Sequence, residues 1–321
     1  MNWISNWKKI GIKVKQILKK QPEGQEITDW KNCPQCKKIS YKPDLFNNSY
    51  ICECSFHFDL PPKLRLDSLF DSDYEIIEAV DNIDPDPLNF EVKDGARAGY
   101  KYIDKIKKYR KVTNQDTALL AASGLISGMQ AVIVVFNPLF GGGRFGNHEN
   151  EHFLHIANFA VRKKVDFWLC CYASSGMDVH GGVTSLSGMP KSIIAMNEIK
   201  QANIVTFALA SRGTSGGTYA SSFFMHDIII VESNSTTDIL FSGKRVTSNI
   251  LKGTDQIPED FGTGPGVMKS GLADITLESR KELKDTITKL ANIILKKEQS
   301  KNVDEAHENQ EDFKKTASTA S

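Results

Sequence analysis

The chain has 321 residues and a formal net charge of +1, with 40% hydrophobic and 25% charged residues. Those proportions are typical of a globular chain of one or two domains. A charge so near zero provides no overall field that would hold the chain on nucleic acid or on an anionic membrane. Because no apolar run approaches the ~18 residues that a bilayer requires, the sequence also predicts no membrane-spanning helix.

Residues 1–28 form a basic segment in which Ile10, Val14, Ile17 and Leu18 fall near helical spacing. We interpret it as a solvated arm or surface helix. Its lysines interrupt any apolar core of the kind that a secretory signal needs. We therefore expect a cytoplasmic protein, or a stromal one if the source is a plastid.

A cysteine module follows in residues 29–60. It holds four of the six cysteines, at positions Cys33, Cys36, Cys52 and Cys54. Clustered cysteines outside a secreted disulfide framework indicate metal, and four thiolates around a tetrahedral ion make a closed structural zinc site. The CxC half is tighter than the CxxC half, which makes His57 an alternative ligand if Cys54 does not reach. Unligated, reduced cysteines are the other interpretation.

A zinc ribbon can also bind nucleic acid, and three lysines lie beside this one. Three acidic residues offset them, so nucleic-acid binding is not the favoured function. The side chains concerned are Lys37, Lys38 and Lys42 on one side and Asp44, Glu53 and Asp59 on the other.

The connector over residues 59–115 is charged and interrupted by prolines, and it predicts one or two helices. After it, His148-Glu149-Asn150-Glu151-His152 matches the HExxH pattern of zinc proteases. The motif directly follows the glycine-rich loop Gly141–Gly146, so His148 falls at the start of a helix. We interpret it as a solvated, polar helix face and not as a protease site.

From about residue 117 to 296, strands alternate with helices, which is typical of α/β layers with ligands at the strand ends. We predict strands at Ala131–Asn137, Phe167–Tyr172, Ile204–Leu209 and Ile228–Glu232, and helices at Asn150–Lys163, Val183–Gln201, Ala220–Met225 and Arg280–Leu295. The polar tail over residues 297–321 is predicted to be disordered.

Two of these strands end in glycine-marked turns, Ala173-Ser174-Ser175-Gly176 and Gly213-Thr214-Ser215-Gly216-Gly217. A strand, a turn of small residues and a helix leave backbone N–H groups free at the helix N-terminus, where they can bind an anion. Two such turns in one domain could stabilise an enolate oxygen from both sides, as an oxyanion hole does.

The ordered set of motifs resembles the β subunits of the bacterial and plastid acetyl-CoA carboxylase carboxyltransferase. The resemblance covers residues 1–296. It is carried by the opening Met1-Asn2-Trp3-Ile4, Pro22-Glu23-Gly24, the knuckle Cys33–Cys36, the loop Gly141–Gly146, Cys170–Ser185, Thr214–Gly217, His226–Glu232 and Phe241–Val246.

The resemblance implies a crotonase-like domain of ββα units over residues 61–296, behind a zinc ribbon at 29–60. It implies transfer of a carboxyl group from carboxybiotin to acetyl-CoA, giving malonyl-CoA for fatty acid synthesis. It also implies an obligatory α subunit, in a heterotetramer, with a biotin carrier protein and biotin carboxylase as further partners. Structural zinc is the implied cofactor of this chain, and biotin enters on the carrier.

The site residues that follow from the turns and the resemblance are of two kinds. Backbone oxyanion donors are predicted at Ser175, Gly176, Gly216 and Gly217, and an acyl-CoA region is predicted at Gly142, Gly143 and Arg245. No side-chain base is required if released biotin takes the α-proton, which suits a site that is rich in glycine.

The first turn departs from the family pattern Ser-Gly-Gly-Ala-Arg-Met-Gln-Glu-Gly. Ser175 stands where the family has glycine, Asp178 where it has arginine, and Gly181 where it has glutamate. A carboxylate in place of a guanidinium is expected to reverse a charge beside an anionic ligand. Two alternatives to an active β subunit therefore stay open. One is a non-catalytic or differently specific acyl-CoA-binding paralogue, and the other is a zinc-ribbon nucleic-acid-binding or scaffold protein.

Overall fold

The computed structural model describes residues 29–95, 98–234, 238–251 and 257–295. The predicted basic segment 1–28 and disordered tail 297–321 lie outside these residues. The described residues begin with a small two-stranded ribbon, in which β1 (Trp30–Asn32) is antiparallel to β2 (Ile39–Tyr41). The short helix α1 (Lys42–Asn47) follows.

An eight-stranded mixed sheet forms the centre of the rest of the chain. Its strands are β3 (Glu75–Ile76), β4 (Leu119–Ile126), β5 (Met129–Phe136), β6 (Phe167–Ser174), β7 (Val205–Ser215), β8 (Ile228–Glu232), β9 (Ile239–Leu240) and β10 (Ile275–Leu277). The order is β10-β8-β7-β6-β5-β4-β3, and β9 also pairs with β7. From β5 to β10 the neighbours run parallel, so their carboxyl ends lie at one edge of the sheet.

Helices flank this sheet. They are α2 (Pro62–Leu69), α3 (Tyr102–Thr113), α4 (Asn147–Lys163), α5 (Gly182–Leu186), α6 (Gly188–Gln201), α7 (Gly216–Ala220), α8 (Lys244–Ile250), α9 (Gly264–Lys269) and α10 over residues 283–295. Short 3₁₀ turns occur at Val179–Gly181, Ser222–Met225 and Arg280–Glu282. Within the described residues, no helix has the length and apolar composition to cross a membrane.

The central strands are apolar on both faces, because each face is covered by helices. Val132 and Val134 belong to one buried cluster, together with residues of α4 and α6. Ile133 and Val135, with the opposite side-chain direction, belong to a second cluster with residues of α2 and α10. Consecutive positions thus enter different cores, as the two-residue period of a strand requires.

A buried ion cluster connects the cysteine module to the sheet. The carboxylate of Glu232, at the end of β8, accepts from Arg65 of α2 and from Arg280, and its Oε2 lies 3.0 Å from His57 Nδ1. Burial acts to raise the pKa of Glu232, but the two guanidinium groups and His57 outweigh it and hold that pKa well below its usual range. The module is therefore anchored beside the carboxyl ends of the parallel strands.

The predicted strands are present, but several element boundaries were wrong. The strand predicted at Ile204–Leu209 runs on to Ser215, so most of the second predicted turn is extended chain. The helix predicted at Val183–Gln201 is interrupted at Ser187, and the one predicted at Ala220–Met225 is a short helix followed by a 3₁₀ turn. Tertiary contacts, which periodicity does not contain, set these boundaries.

Candidate active site and metal centre

The glycine-rich loop after β5 packs directly on the first turn. Gly141, Gly142 and Gly143 have φ values of +63°, +75° and +66°, which side chains rarely adopt. A Cβ on Gly143 would lie 1.8 Å from the carbonyl oxygen of Ala173, so only glycine allows this approach. The predicted acyl-CoA residues Gly142 and Gly143 are thus neighbours of the predicted catalytic turn.

The first turn has little backbone hydrogen-bonding capacity left for a ligand. The Ser175 N–H donates to Gly142 O at 2.9 Å, and the Gly176 N–H donates to Ser174 Oγ at 3.1 Å. The N–H groups of Gly142 and Gly143 are also occupied, by Pro138 O and Phe140 O. These bonds stabilise the turn internally instead of presenting donors.

The second turn differs at its last residue. The Gly216 N–H donates to Phe241 O at 3.0 Å. Gly217 is the second residue of α7, a position whose N–H has no partner within its own helix. Among the described residues its N–H has no acceptor within hydrogen-bonding distance. Of the four predicted donors, three are therefore already occupied, and Gly217 is the open one.

The two turns contact each other through glycine. A Cβ on Gly176 would lie 2.8 Å from Ser215 O and 3.3 Å from the nitrogen of Gly217. A side chain at position 176 would thus cover the Gly217 N–H. A Cβ on Gly217 would lie 2.4 Å from Met177 Cγ and 3.1 Å from Met189 Sδ, so these two methionines pack against Gly217. Sequence reasoning missed both methionines, because they have no polar atom that marks a site.

Arg245, the third predicted acyl-CoA residue, lies at the start of α8. The placement of its side chain lies outside what the structure describes. The role of Arg245 in binding acyl-CoA stays a prediction.

Asp178 belongs to a buried network of charged and aromatic side chains. It is buried, with Oδ2 3.5 Å from Arg144 Nη1 and Oδ1 2.8 Å from His180 Nδ1. The His180 ring stacks on Tyr102 at a centroid distance of 3.8 Å. The Arg144 guanidinium, which also pairs with Glu149 at 2.9 Å, thus lies beside the Asp178 carboxylate, so two carboxylates share one cation.

The interpretation of the HExxH segment as a solvated helix face was wrong. His148, Glu149 and His152 are all buried. Glu149 accepts from Arg144 at 2.9 Å and from the Gly146 N–H at 3.0 Å, which caps α4. Both ring nitrogens of each histidine have partners: Arg110 and Val80 O for His148, and Thr117 Oγ1 and Ile77 O for His152. The motif is a structural network.

The four predicted metal ligands do converge. The sulphur atoms of Cys33, Cys36, Cys52 and Cys54 lie within 4.8 Å of one another. The Cys33–Cys54 and Cys36–Cys52 sulphur distances are 3.6 and 3.7 Å, close to the ~3.8 Å edge of a tetrahedron with 2.3 Å metal–sulphur bonds. In the part of the chain that the structure describes, this is the group of side chains that could hold a metal ion.

The thiols differ in their environments. A hydrogen bond from the Phe56 backbone lowers the pKa of Cys54 to about 7, whereas burial raises the pKa of Cys52 to about 12. A bound cation would favour the thiolate form of both. His57, the alternative ligand, is instead held against Glu232, so Cys54 completes the set.

The comparisons with known proteins agree with this architecture. The carboxyl transferase domain family matches residues 102–320. The chain belongs to the carboxyl transferase family. This carboxyl transferase is 30% identical over 325 residues to the acetyl-coenzyme A carboxylase carboxyl transferase subunit beta of Pelagibacter ubique, with both chains covered completely. It is 29% identical over 297 residues to the same subunit of Agrobacterium fabrum, with 92% of this chain and 95% of that protein covered.

Solved structures show the same fold. The transcarboxylase 12S hexamer matches with a TM-score of 0.57 and 18% identity, over 72% of this chain and 41% of that one. A Pseudomonas malonate decarboxylase hetero-tetramer matches with a TM-score of 0.53 and 16% identity, over 74% and 82%. The crotonase-like α/β fold predicted from the sequence is confirmed, as is its assignment to the carboxyltransferases.

Proposed function

We propose that this chain is the β subunit of an acetyl-CoA carboxylase carboxyltransferase, which transfers a carboxyl group to acetyl-CoA to form malonyl-CoA. Support comes from relatives of that name along the whole chain, together with the open Gly217 N–H at the contact of the two turns. Acetyl-CoA loses a proton from its α-carbon, and the resulting carbanion attacks the carboxyl carbon. Carboxybiotin would supply that carboxyl group by cleavage of its N–C bond, and the released biotin nitrogen would take up the α-proton.

The role of this chain is to hold the thioester and stabilise the enolate. We assign the Gly217 N–H to the enolate oxygen, because a preformed donor aimed at developing charge contributes about 3–4 kcal/mol to catalysis. The side chains of Met177 and Met189 pack beside the Cα of Gly217. Gly142 and Gly143 border the same cleft and are proposed to contact the acyl-CoA.

The remaining partners follow from the same proposal. An α subunit completes the active site in a heterotetramer, and biotin arrives on a carrier protein after carboxylation by a biotin carboxylase. The turns of this chain carry no paired acid and base, so the proton acceptor is expected to come from the biotin side.

Zinc is the proposed metal of the four-cysteine cluster. Sulphur atoms at tetrahedral separation and the absence of an oxygen ligand among the four suit Zn²⁺ in a structural site. Cys33→Ser should lower the zinc content of the purified chain below one per molecule, because three thiolates bind the ion more weakly. Elemental analysis measures this, and Cys170→Ser is the control since Cys170 is buried in β6. A zinc content equal to that of the unaltered chain would remove Cys33 from the ligand set.

The activity is tested by co-expressing the chain with the α subunit of the same source. The purified complex is then assayed for malonyl-CoA-dependent carboxylation of biotin, the reverse reaction. Turnover that requires both chains supports the proposal. A stable complex without turnover would favour a non-catalytic or differently specific acyl-CoA-binding paralogue, which the altered first turn would then explain.

A further inference from the structure

The Ser174 hydroxyl joins three segments of the candidate site: the glycine loop, the first turn and α7. Ser174 ends β6 and is buried, with a relative exposure of 2%. Its Oγ donates to Gly143 O at 2.7 Å in the glycine loop and accepts from the Gly176 N–H at 3.1 Å in the first turn. It also lies 3.0 Å from Thr218 Oγ1 in α7, the helix of the second turn.

The proton arrangement at this point is fully determined. A serine hydroxyl has one hydrogen and two lone pairs. Because the Ser174 hydrogen goes to Gly143 O, the Thr218 hydroxyl must donate to Ser174. The hydroxyl thus makes three hydrogen bonds, one to each segment, and has no capacity left for a substrate.

We propose that Ser174 is a positioning residue that sets the register of the first turn against the Gly217 donor. This inference rests on the proposed function, because it assigns a task in placing the enolate oxygen. Ser174 acts in two ways. It withdraws the Gly176 N–H from the cleft, and it fixes α7, whose second residue supplies the open N–H.

The energetic argument is one of preorganisation. Misplacing a catalytic group by about 1 Å can cost about 10²-fold in rate, and buried hydrogen-bonded hydroxyls prevent such shifts. Without the hydroxyl, the Gly176 N–H and Gly143 O would each lose a partner in a water-poor site, and the turns would rearrange to recover one.

The test compares Ser174→Ala and Thr218→Val with the control Ser211→Ala. Ser211 lies on the neighbouring strand β7 and donates to Tyr172 O at 2.9 Å, without a bond to either turn. We expect Ser174→Ala to lower kcat about 30–100-fold with KM for acyl-CoA within about 3-fold. Thr218→Val, which removes one of the three bonds, should lower kcat about 3–10-fold, and Thr218→Ser should restore it.

The double variant sharpens the assignment. Because the Ser174 and Thr218 hydroxyls bond to each other, the variant Ser174→Ala/Thr218→Val should lower kcat by less than the product of the two single decreases. The proposal would be overturned if the two decreases in kcat multiply, or if Ser174→Ala loses stability but keeps its kcat below the melting temperature. If Ser174→Ala does not fold, the comparison of Thr218→Val with Thr218→Ser provides the test.

Amide hydrogen exchange gives a readout that does not depend on turnover. In Ser174→Ala, exchange should accelerate at least about 10-fold in the glycine loop, in the first turn and in α7 together. Acceleration confined to residues 174–176 would overturn the positioning role. If the unaltered complex lacks carboxyl transfer while Ser174→Ala still accelerates exchange in all three segments, the proposed function is refuted and the structural role of Ser174 stands.

Discussion

The two turns have nearly the same sequence chemistry and opposite hydrogen-bonding states. Each follows a buried parallel strand and contains serine and glycine. In the first turn, the N–H groups of Ser175 and Gly176 bond within the protein. In the second, Gly216 is bonded but Gly217 is open among the described residues.

The difference arises from what lies beside each turn. The glycine loop after β5 approaches the first turn so closely that its carbonyl groups take up the N–H of Ser175 and the hydroxyl of Ser174. On one side of the second turn lies Phe241, the residue after β9, whose carbonyl accepts from the Gly216 N–H. On the other side lies Gly176, which has no side chain to cover Gly217. The N–H groups of one turn are thus bonded within the protein, whereas the other turn keeps the N–H that we propose for the enolate oxygen.

The largest effect is expected from Gly217→Val. Its side chain would displace Met177 and Met189 and fill the space in front of the N–H, so carboxyl transfer should fall by about 10³-fold. The fold should survive, because the atoms in the way belong to flexible side chains. Steady-state kinetics of the complex measures the change.

Gly213→Ala is the matched control for this substitution. A Cβ at Gly213 would meet no atom nearer than 3.4 Å, so activity should stay within about 2-fold of the unaltered complex. Full activity in Gly217→Val would show that the open Gly217 N–H has no role in carboxyl transfer.

Acid should destabilise the fold through two buried histidines that lie near the two turns. His152, in the helix after the glycine loop, and His226, after the 3₁₀ segment behind the second turn, are buried, and burial lowers the pKa of each to about 4. The folded state therefore favours the neutral rings. Their contribution to stability is complete above pH 6.5 and is lost as the pH falls toward 4.

As the pH falls from 6.5 to 4.5, each of the two histidines should lower the free energy of unfolding by about 2–3 kcal/mol. Denaturant titrations at several pH values measure this. His226→Gln should remove about half of the pH dependence in that window. An unfolding free energy that is constant from pH 7 to 4.5 would contradict the buried, neutral state of both rings.

Ser175→Ala should have the smallest effect. The Ser175 N–H is already bonded to Gly142 O and survives the substitution, while the hydroxyl is exposed. Both kcat and KM should stay within about 2-fold. A loss greater than about 10-fold would show that this hydroxyl, which replaces the family's glycine, contacts the substrate.

Features that depend on neighbouring residues could be predicted from the sequence, whereas contacts between distant residues could not. The cysteine spacing predicted the converging thiol cluster, and the apolar runs predicted β5, β6, β7 and β8, since both signals are local. The HExxH segment misled, because the burial of Glu149 depends on Arg144 and on Ala118, which no local pattern relates to it. Ser174 was quoted within the turn but given no role, because its three partners come from separate parts of the chain.

The sequence by itself determined the family, the class of fold and three of the four side chains of the candidate metal cluster, because these depend on residue types at fixed spacing. Only the tertiary structure decided which backbone donors remain open, that Asp178 and Glu149 share the Arg144 guanidinium, and that Cys54 rather than His57 joins the other three thiols. A hydrogen bond is settled by the position of its acceptor, and here the acceptors come from elements distant in sequence.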